Sequence, residues 1–332
     1  MNYLSQVHSL IIKIMVKKAF SLLAWGLIIS FPLIFPKSYF LGILIFAGIW
    51  SIMLIGFDVL VGYCGQLSLG HNAFFAIGAY SAGILAVKYN FHHPLLAMAI
   101  GVGISLLLAW IIGLPSLRLK GYYLAIATLG FGLIINNVIL GLNQLTGGAS
   151  GLNFIPSFEF AGLSFDTDIR FYFLVWFFVA VILVVSLNLV KSRFGRAFLA
   201  IREEETFASM MRIPVFRYKL FAFFYSAVCA SIAGSLYAHY AGTITPDGFT
   251  FMISIHMVVM LFLGGKGTIW GGIMGAVFLK LLSEWLTAFQ EYEMPVWAAI
   301  FIMVLIFMPK GILGSLQVAF KNFGVKTIKE GE

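Results

Sequence analysis

Apolar runs of about 20 residues recur along almost the whole chain, and this limits the fold more than any other feature. A backbone in lipid must satisfy its own amides, so only helices or a closed barrel can span. No alternating ten-residue pattern suggests a barrel. Charged residues make up 10% of the 332, against about 25% in a soluble domain. The sequence therefore predicts an all-α polytopic membrane protein, with residues 1–332 forming one membrane domain. Ten segments are expected, at 20–36, 39–61, 66–87, 95–114, 122–142, 171–190, 220–241, 250–263, 267–283 and 296–309. The pair at 250–263 and 267–283 is short enough to be broken or re-entrant. Lys13, Lys17 and Lys18 precede an apolar run, but no small-residue cleavage site follows it.

The basic residues orient these segments. With the N-terminus inside, 17 of the 21 fall on the cytoplasmic side, three fall outside (Lys37, Lys88, Arg170), and Lys280 lies within a segment. Most acids fall on outer loops, among them Glu159, Asp166, Asp168 and Asp247, with Glu284 at a segment edge. Both termini are expected inside, with 1–19 and 310–332 cytoplasmic. The loop 191–219 then faces the cytoplasm and Asn143–Arg170 faces out. The net charge of +8 is this topology code and not a nucleic-acid footprint.

A faint repeat runs through the chain. Gly65-Gln-Leu-Ser68 with Phe74-Phe75 follows the second segment, and Gly242-Thr-Ile-Thr245 with Phe249-Thr-Phe251 follows the seventh. A repeat of five segments must invert, which predicts a 5+5 architecture of the kind that frames transporter pathways.

Gly62–Tyr80 is dense in glycine and polar groups at membrane depth. Irregular backbone is tolerated there only when protein or a water-filled cavity surrounds it. Gln66, Ser68, Gly70, His71, Asn72, Phe74 and Phe75 are thus candidates for a substrate pathway. Capping by Ser68 or Asn72, and close packing through Gly78 and Ala79, explain the same residues structurally. His71, His239 and His256 lack neighbours at ligand spacing and suit helix–helix hydrogen bonds, so no metal site is expected. Asp58 is an intramembrane carboxylate near the expected cytoplasmic end, where water or a capping partner would suffice. Of Asn136 and Asn137, at most one can face a pathway. Cys64 and Cys229 read as packed free thiols. Leu145-Thr-Gly-Gly-Ala-Ser-Gly-Leu152 lacks the lysine ending of a phosphate loop. Phe262–Gly272 permits a sharp re-entry, with Trp270 suited to anchor at an interface.

Ten of the 34 charged residues crowd into 191–219. A helix is expected from about Arg196 to Arg212, stopped before Pro214. It would place Arg202, Glu205, Ser209 and Arg212 on one face and Ala200, Phe207 and Met211 on the other. Three adjacent acids, Glu203 to Glu205, suit a protein partner better than an anionic lipid surface. No nucleotide site, nucleophile–base pair or metal cluster is visible, so no catalysis and no cofactor is expected.

Several stretches together resemble one family. They are Gly62-Tyr-Cys-Gly-Gln-Leu-Ser-Leu-Gly-His-Asn-Ala-Phe-Phe, Leu117-Arg-Leu-Lys-Gly-Tyr-Tyr-Leu, Leu145-Thr-Gly-Gly-Ala-Ser-Gly, Gly195-Arg-Ala-Phe-Leu-Ala-Ile-Arg, Phe216-Arg-Tyr-Lys and Leu263-Gly-Gly-Lys-Gly-Thr-Ile-Trp-Gly. In order, over roughly 40–310, they resemble the LivM-type permeases of branched-chain amino acid ABC importers. The resemblance implies a multi-pass permease subunit in the bacterial inner (plasma) membrane. Its partners would be a LivH-type permease, two cytoplasmic ATP-binding subunits that alone bind ATP, and an extracytoplasmic substrate-binding protein. The 191–219 loop then resembles the segment that couples to an ATPase, with Gly195, Arg196, Arg202, Glu203, Glu205 and Arg212 as its contacts. The chain departs from the pattern twice. Arg212 stands where the family has glycine, which implies a reshaped turn or a more basic dock. Asn72 follows His71 where alanine or glycine is common. Urea and short-chain amide importers share these motifs. Two rivals from other classes are an ion-coupled secondary transporter, which needs more intramembrane carboxylates than Asp58, and a membrane enzyme, which needs a catalytic pair.

Overall fold

The computed structural model describes residues 38–286 apart from 161, together with positions 32 and 303 taken singly. The expected segments 20–36 and 296–309, the leading residues 1–19 and the tail 310–332 otherwise lie outside the described residues. Each of the other eight expected segments is helical.

Helix α1 (Ser38–Asp58) runs into one π-helical turn at Val59–Tyr63. An irregular stretch leads to α2 (His71–Lys88), followed by α3 (Pro94–Ser116), α4 (Tyr122–Gly141) and the short α5 (Asn143–Thr146). A loop carries one two-residue hairpin, β1 (Glu159–Phe160) with β2 (Leu163–Ser164). Then come α6 (Asp168–Lys191), α7 (Arg193–Glu203), α8 (Glu205–Met210) and α9 (Val215–Ala241). A 3-10 turn at Pro246–Phe249 precedes α10 (Phe251–Gly264) and α11 (Ile269–Leu286). Among the described residues, five helices are long and apolar enough to cross a membrane, or six if α10 and α11 count as one span bent by 112°.

Burial separates centre from periphery. The most apolar windows of α1 and α9 are 78% and 61% buried, whereas those of α3, α4 and α6 are 28–33% buried. The outward faces of the peripheral helices are hydrocarbon, with Leu107, Ile126 and Phe177 exposed. Such faces suit lipid or another apolar helix.

Small residues set the tightest central contact. A Cβ on Gly78 would overlap the backbone of Ser231, and one on Gly234 would overlap the backbone of Phe75. Glycine therefore lets α2 and α9 approach to backbone contact, as membrane helices do where dispersion drives packing. Of the expected pair, Gly78 makes that contact directly. Gly264 and Gly275 do the same between α11 and α10.

Two differences from the sequence reading matter. The third segment begins as helix at His71 and not at 66, because Cys64–Gly70 is irregular and Gly65 sits at φ 74. The 191–219 loop holds two helices and not one. Glu204 is extended, at φ −158, and separates α7 from α8. Ser192 caps α7, its hydroxyl accepting from the Phe194 amide at 3.1 Å. After Met210 the chain turns through Arg212 at φ 60 into Pro214.

Candidate translocation site and its loop anchorage

The start of α2 lies at the centre of the bundle. His71 is fully buried and bonds on both ring nitrogens, to Ser68 Oγ at 3.0 Å and to Ser226 Oγ of α9 at 2.7 Å. Phe57, Phe74 and Phe223 surround its ring edge-on. This is the helix–helix role expected of a lone histidine. Asn72 reaches the other way. Its Nδ2 donates to the Phe249 carbonyl at 3.0 Å, its Oδ1 accepts from Ser254 Oγ at 3.1 Å, and its backbone amide donates to the same hydroxyl at 3.1 Å. Asn136 of α4 also holds the 3-10 turn, donating to Pro246 O at 3.0 Å. Asn137 spends its amide on Leu133 in its own helix.

The N-terminal ends of α2 and α10 therefore meet through Asn72 and Ser254. Neither Ser68 nor Asn72 caps α2 with its side chain: Ser68 bonds the His71 ring instead, and Asn72 bonds across to Phe249 and Ser254. Gly70 lies against α4, where a Cβ would overlap the Thr128 carbonyl, and the Leu69 amide donates to Thr128 Oγ1 at 3.0 Å. Phe74 packs on Phe131 and Phe223, and Phe75 packs on Tyr237 and Phe249. Gln66 and Ser68 are buried. The structure brings all seven candidate pathway residues into one region, and in this conformation they fill it.

Asp58 differs from its expected setting. It is fully buried, not solvated at a helix end, and Oδ1 accepts from the Gly267 amide at 2.7 Å. It thereby ties the end of α1 to the break between α10 and α11. A Cβ on Gly62 would strike both the Asp58 carboxylate and the Gly267 amide, so the π-helical turn packs directly on that break. Single-turn π segments recur at functional sites.

The loop fastens to the same place. Arg202 donates to the Gly62 carbonyl at 2.6 Å, and its side-chain stem lies against Gly65. Glu205 pairs with the buried Lys219 of α9 and accepts from Gln66 Nε2 at 3.3 Å. Glu205 is half-buried, whereas Arg202 stays exposed and divides its guanidinium between the Gly62 carbonyl and Glu203, which it meets at 3.5 Å. Gly195 forms the α6–α7 corner, where a Cβ would overlap the Val190 carbonyl. Arg196, Glu203 and Arg212 are exposed. Phe207, Met210 and Met211 are exposed as well, at 61%, 74% and 65%, so the loop presents apolar side chains beside its charged ones. Cys64 is a free, buried cysteine, as a packed thiol would be. Cys229 is buried too. Among the described residues no group of three or more His, Cys, Asp or Glu could hold a metal.

Thr128, Ser226, Ser254 and Lys219 escaped the sequence reading. Isolated hydroxyls in apolar helices carry no spacing signal, and their partners lie as far as 182 positions away.

The chain matches the model of the branched-chain amino acid transport system permease component over residues 39–309. It belongs to that permease family. The high-affinity branched-chain amino acid permease protein LivM of Salmonella typhimurium is 33% identical over 288 residues, covering 80% of this chain and 68% of that relative. LivM of Escherichia coli is 33% identical over 305 residues, covering 84% and 71%. LivH of Salmonella typhimurium is 26% identical over 297 residues, covering 81% and 92%. No solved structure matches the chain. As a member of this family, the chain is a multi-pass transport permease, and such subunits are not enzymes.

Proposed function

We propose that this permease is one membrane subunit of an ABC importer that carries branched-chain or other small amino acids into the bacterial cytoplasm. It would pair with a LivH-type permease, receive substrate from an extracytoplasmic binding protein, and be driven by two ATP-binding subunits. The observation that carries this reading is the anchorage of the 191–219 loop. Arg202 and Glu205 end on Gly62, Gln66 and Lys219, so a push on α7 and α8 reaches the break after α1 directly. From there Asp58 passes it to the α10–α11 break through Gly267. This route differs from one acting only through α6 and α9, the helices that the loop joins in sequence.

The proposed orientation puts the loop and both termini in the cytoplasm, on the strength of the basic-residue asymmetry. The packing is also what an inverted five-segment repeat would give. Segments two and nine (α1, α11) touch, as do their counterparts seven and four (α9, α3), and α2 packs on α3 as α10 packs on α11. The functional test is uptake of labelled leucine by cells carrying the full assembly. Uptake should require ATP hydrolysis by a subunit that co-purifies with this chain. Uptake that survives loss of every ATPase partner overturns the proposal.

A further inference from the structure

One oxygen of the Asp58 carboxylate is unmatched. The residue is fully buried and its Oδ1 accepts from the Gly267 amide, but Oδ2 has no hydrogen-bond partner among the described residues. A buried polar atom left so is costly, and folded proteins keep few of them. An ionisable group inside a membrane segment is a functional candidate whose partner should be sought nearby.

The cation placed to meet it is Arg202. Arg202 Nη1 donates to the Gly62 carbonyl at 2.6 Å and lies 3.2 Å from where a Cβ of Gly267 would stand. The Asp58 carboxylate meets the same two glycines, holding the Gly267 amide and filling the place of a Gly62 Cβ. Guanidinium and carboxylate thus face each other across two residues that carry no side chain to keep them apart. They are not paired, because the guanidinium is divided between the Gly62 carbonyl and Glu203. The arginine side chain is 36% exposed, which leaves it room to turn. A charged pair is about twice as strong as a bond between neutral groups, and the arginine fork fits both carboxylate oxygens.

We propose that Asp58 is a positioning residue of the transport cycle and the second acceptor for Arg202. In this conformation Arg202 holds the Gly62 carbonyl. When the loop is driven toward the bundle, the guanidinium passes to Asp58 Oδ2. The π-helical turn is then released from the loop, and the loop becomes tied, through Asp58 and Gly267, to the α10–α11 break. The inference rests on the coupling reading above and adds to it a charge that changes partner.

The test is leucine uptake by cells carrying the full assembly, with the amount of folded permease and its co-purifying ATPase measured alongside. Asp58→Asn keeps an oxygen for the Gly267 amide and loses the charge. It should cut uptake at least about tenfold, the smallest loss expected when a buried charge pair loses a member, with folding and ATPase association retained. Wild-type uptake in Asp58→Asn overturns the proposal, since holding Gly267 would then be the whole role. Arg202→Gln keeps a donor for Gly62 and should lose uptake equally, whereas Arg202→Lys should retain more. Equal uptake in the Gln and Lys variants overturns the need for a cation, and this comparison decides even where Asp58→Asn does not accumulate. The double variant Asp58→Asn with Arg202→Gln should be no worse than either single one, because partners in one interaction are not additive. Losses that multiply overturn the pairing. Wild-type uptake that survives without any ATPase counts against the importer reading itself, whereas ATP-driven uptake indifferent to Asp58→Asn counts against this exchange alone.

Discussion

Arg212 sits at φ 60, in the left-handed region that glycine occupies freely and other residues at a cost of about 1–2 kcal/mol. The motif that this loop resembles leads one to expect glycine there. Arg212 thus holds a backbone conformation that glycine would adopt more easily, and it places an exposed cation at the turn. We expect Arg212→Gly to keep transport and to raise thermal stability slightly, and Arg212→Val to lower it, since a branched side chain fits that conformation worse. Melting of the purified permease in detergent decides this. A lower midpoint for the glycine variant would remove strain as the explanation. Asn72 is the other departure, and it has a clear use. Its side chain bonds to Phe249 and Ser254. Interhelical hydrogen bonds in membranes average about 0.6 kcal/mol each. Asn72→Ala should therefore cost on the order of 1–2 kcal/mol, again read by melting, and unchanged stability would show that the bonds contribute nothing net.

Among the elements, the α2–α9 contact and the 191–219 loop carry the firmest expectations. Gly234→Leu would drive a side chain into the Phe75 carbonyl, so the helices must separate. Overpacking typically costs 1–3 kcal/mol, and more where backbone must move. The folded protein recovered from membranes should fall sharply, and full recovery would mean that the contact yields easily. The loop separates two functions that the sequence placed on one face. Phe207, Met210 and Met211 are the large apolar side chains exposed around α8, so Phe207→Ala should weaken ATPase association by an amount typical of an apolar anchor, about 2 kcal/mol. Arg202→Glu should instead leave association near normal and abolish uptake, because it breaks the tie to Gly62 and sets a carboxylate near the buried Asp58. Co-purification and uptake measured on both variants test the assignment. A loss of ATPase in Arg202→Glu with no loss in Phe207→Ala would reverse it.

At the scale of the molecule the claim open to test is sidedness. Asn153 and Thr206 are exposed and lie on loops expected on opposite sides. Single cysteines at these positions should react with a membrane-impermeant reagent from opposite faces, Asn153→Cys from outside in intact cells and Thr206→Cys only after permeabilisation. Labelling of both from outside would sink the proposed orientation.

Hydrophobic run length by itself placed eight segments on helices to within about five residues, because burying a backbone in lipid leaves no alternative to hydrogen-bonding within the segment, although among the described residues five of these helices, or six with the bent pair, are long and apolar enough to cross. The same logic flagged Gly62–Tyr80 as irregular, since glycine and polar residues at depth need a protein partner. Which partner was another matter. The sequence could not show that Asn72 faces Ser254, or that Asp58 meets the Gly267 amide, because such pairings join residues some 180 to 209 positions apart and have no periodicity. Nor could helical spacing foresee that Glu204 breaks the loop helix, since that depends on where Arg202 and Glu205 find Gly62 and Lys219. The membrane segments follow from local solvation. The polar contacts at the centre follow from how closely glycine let the helices approach, which only tertiary packing decides.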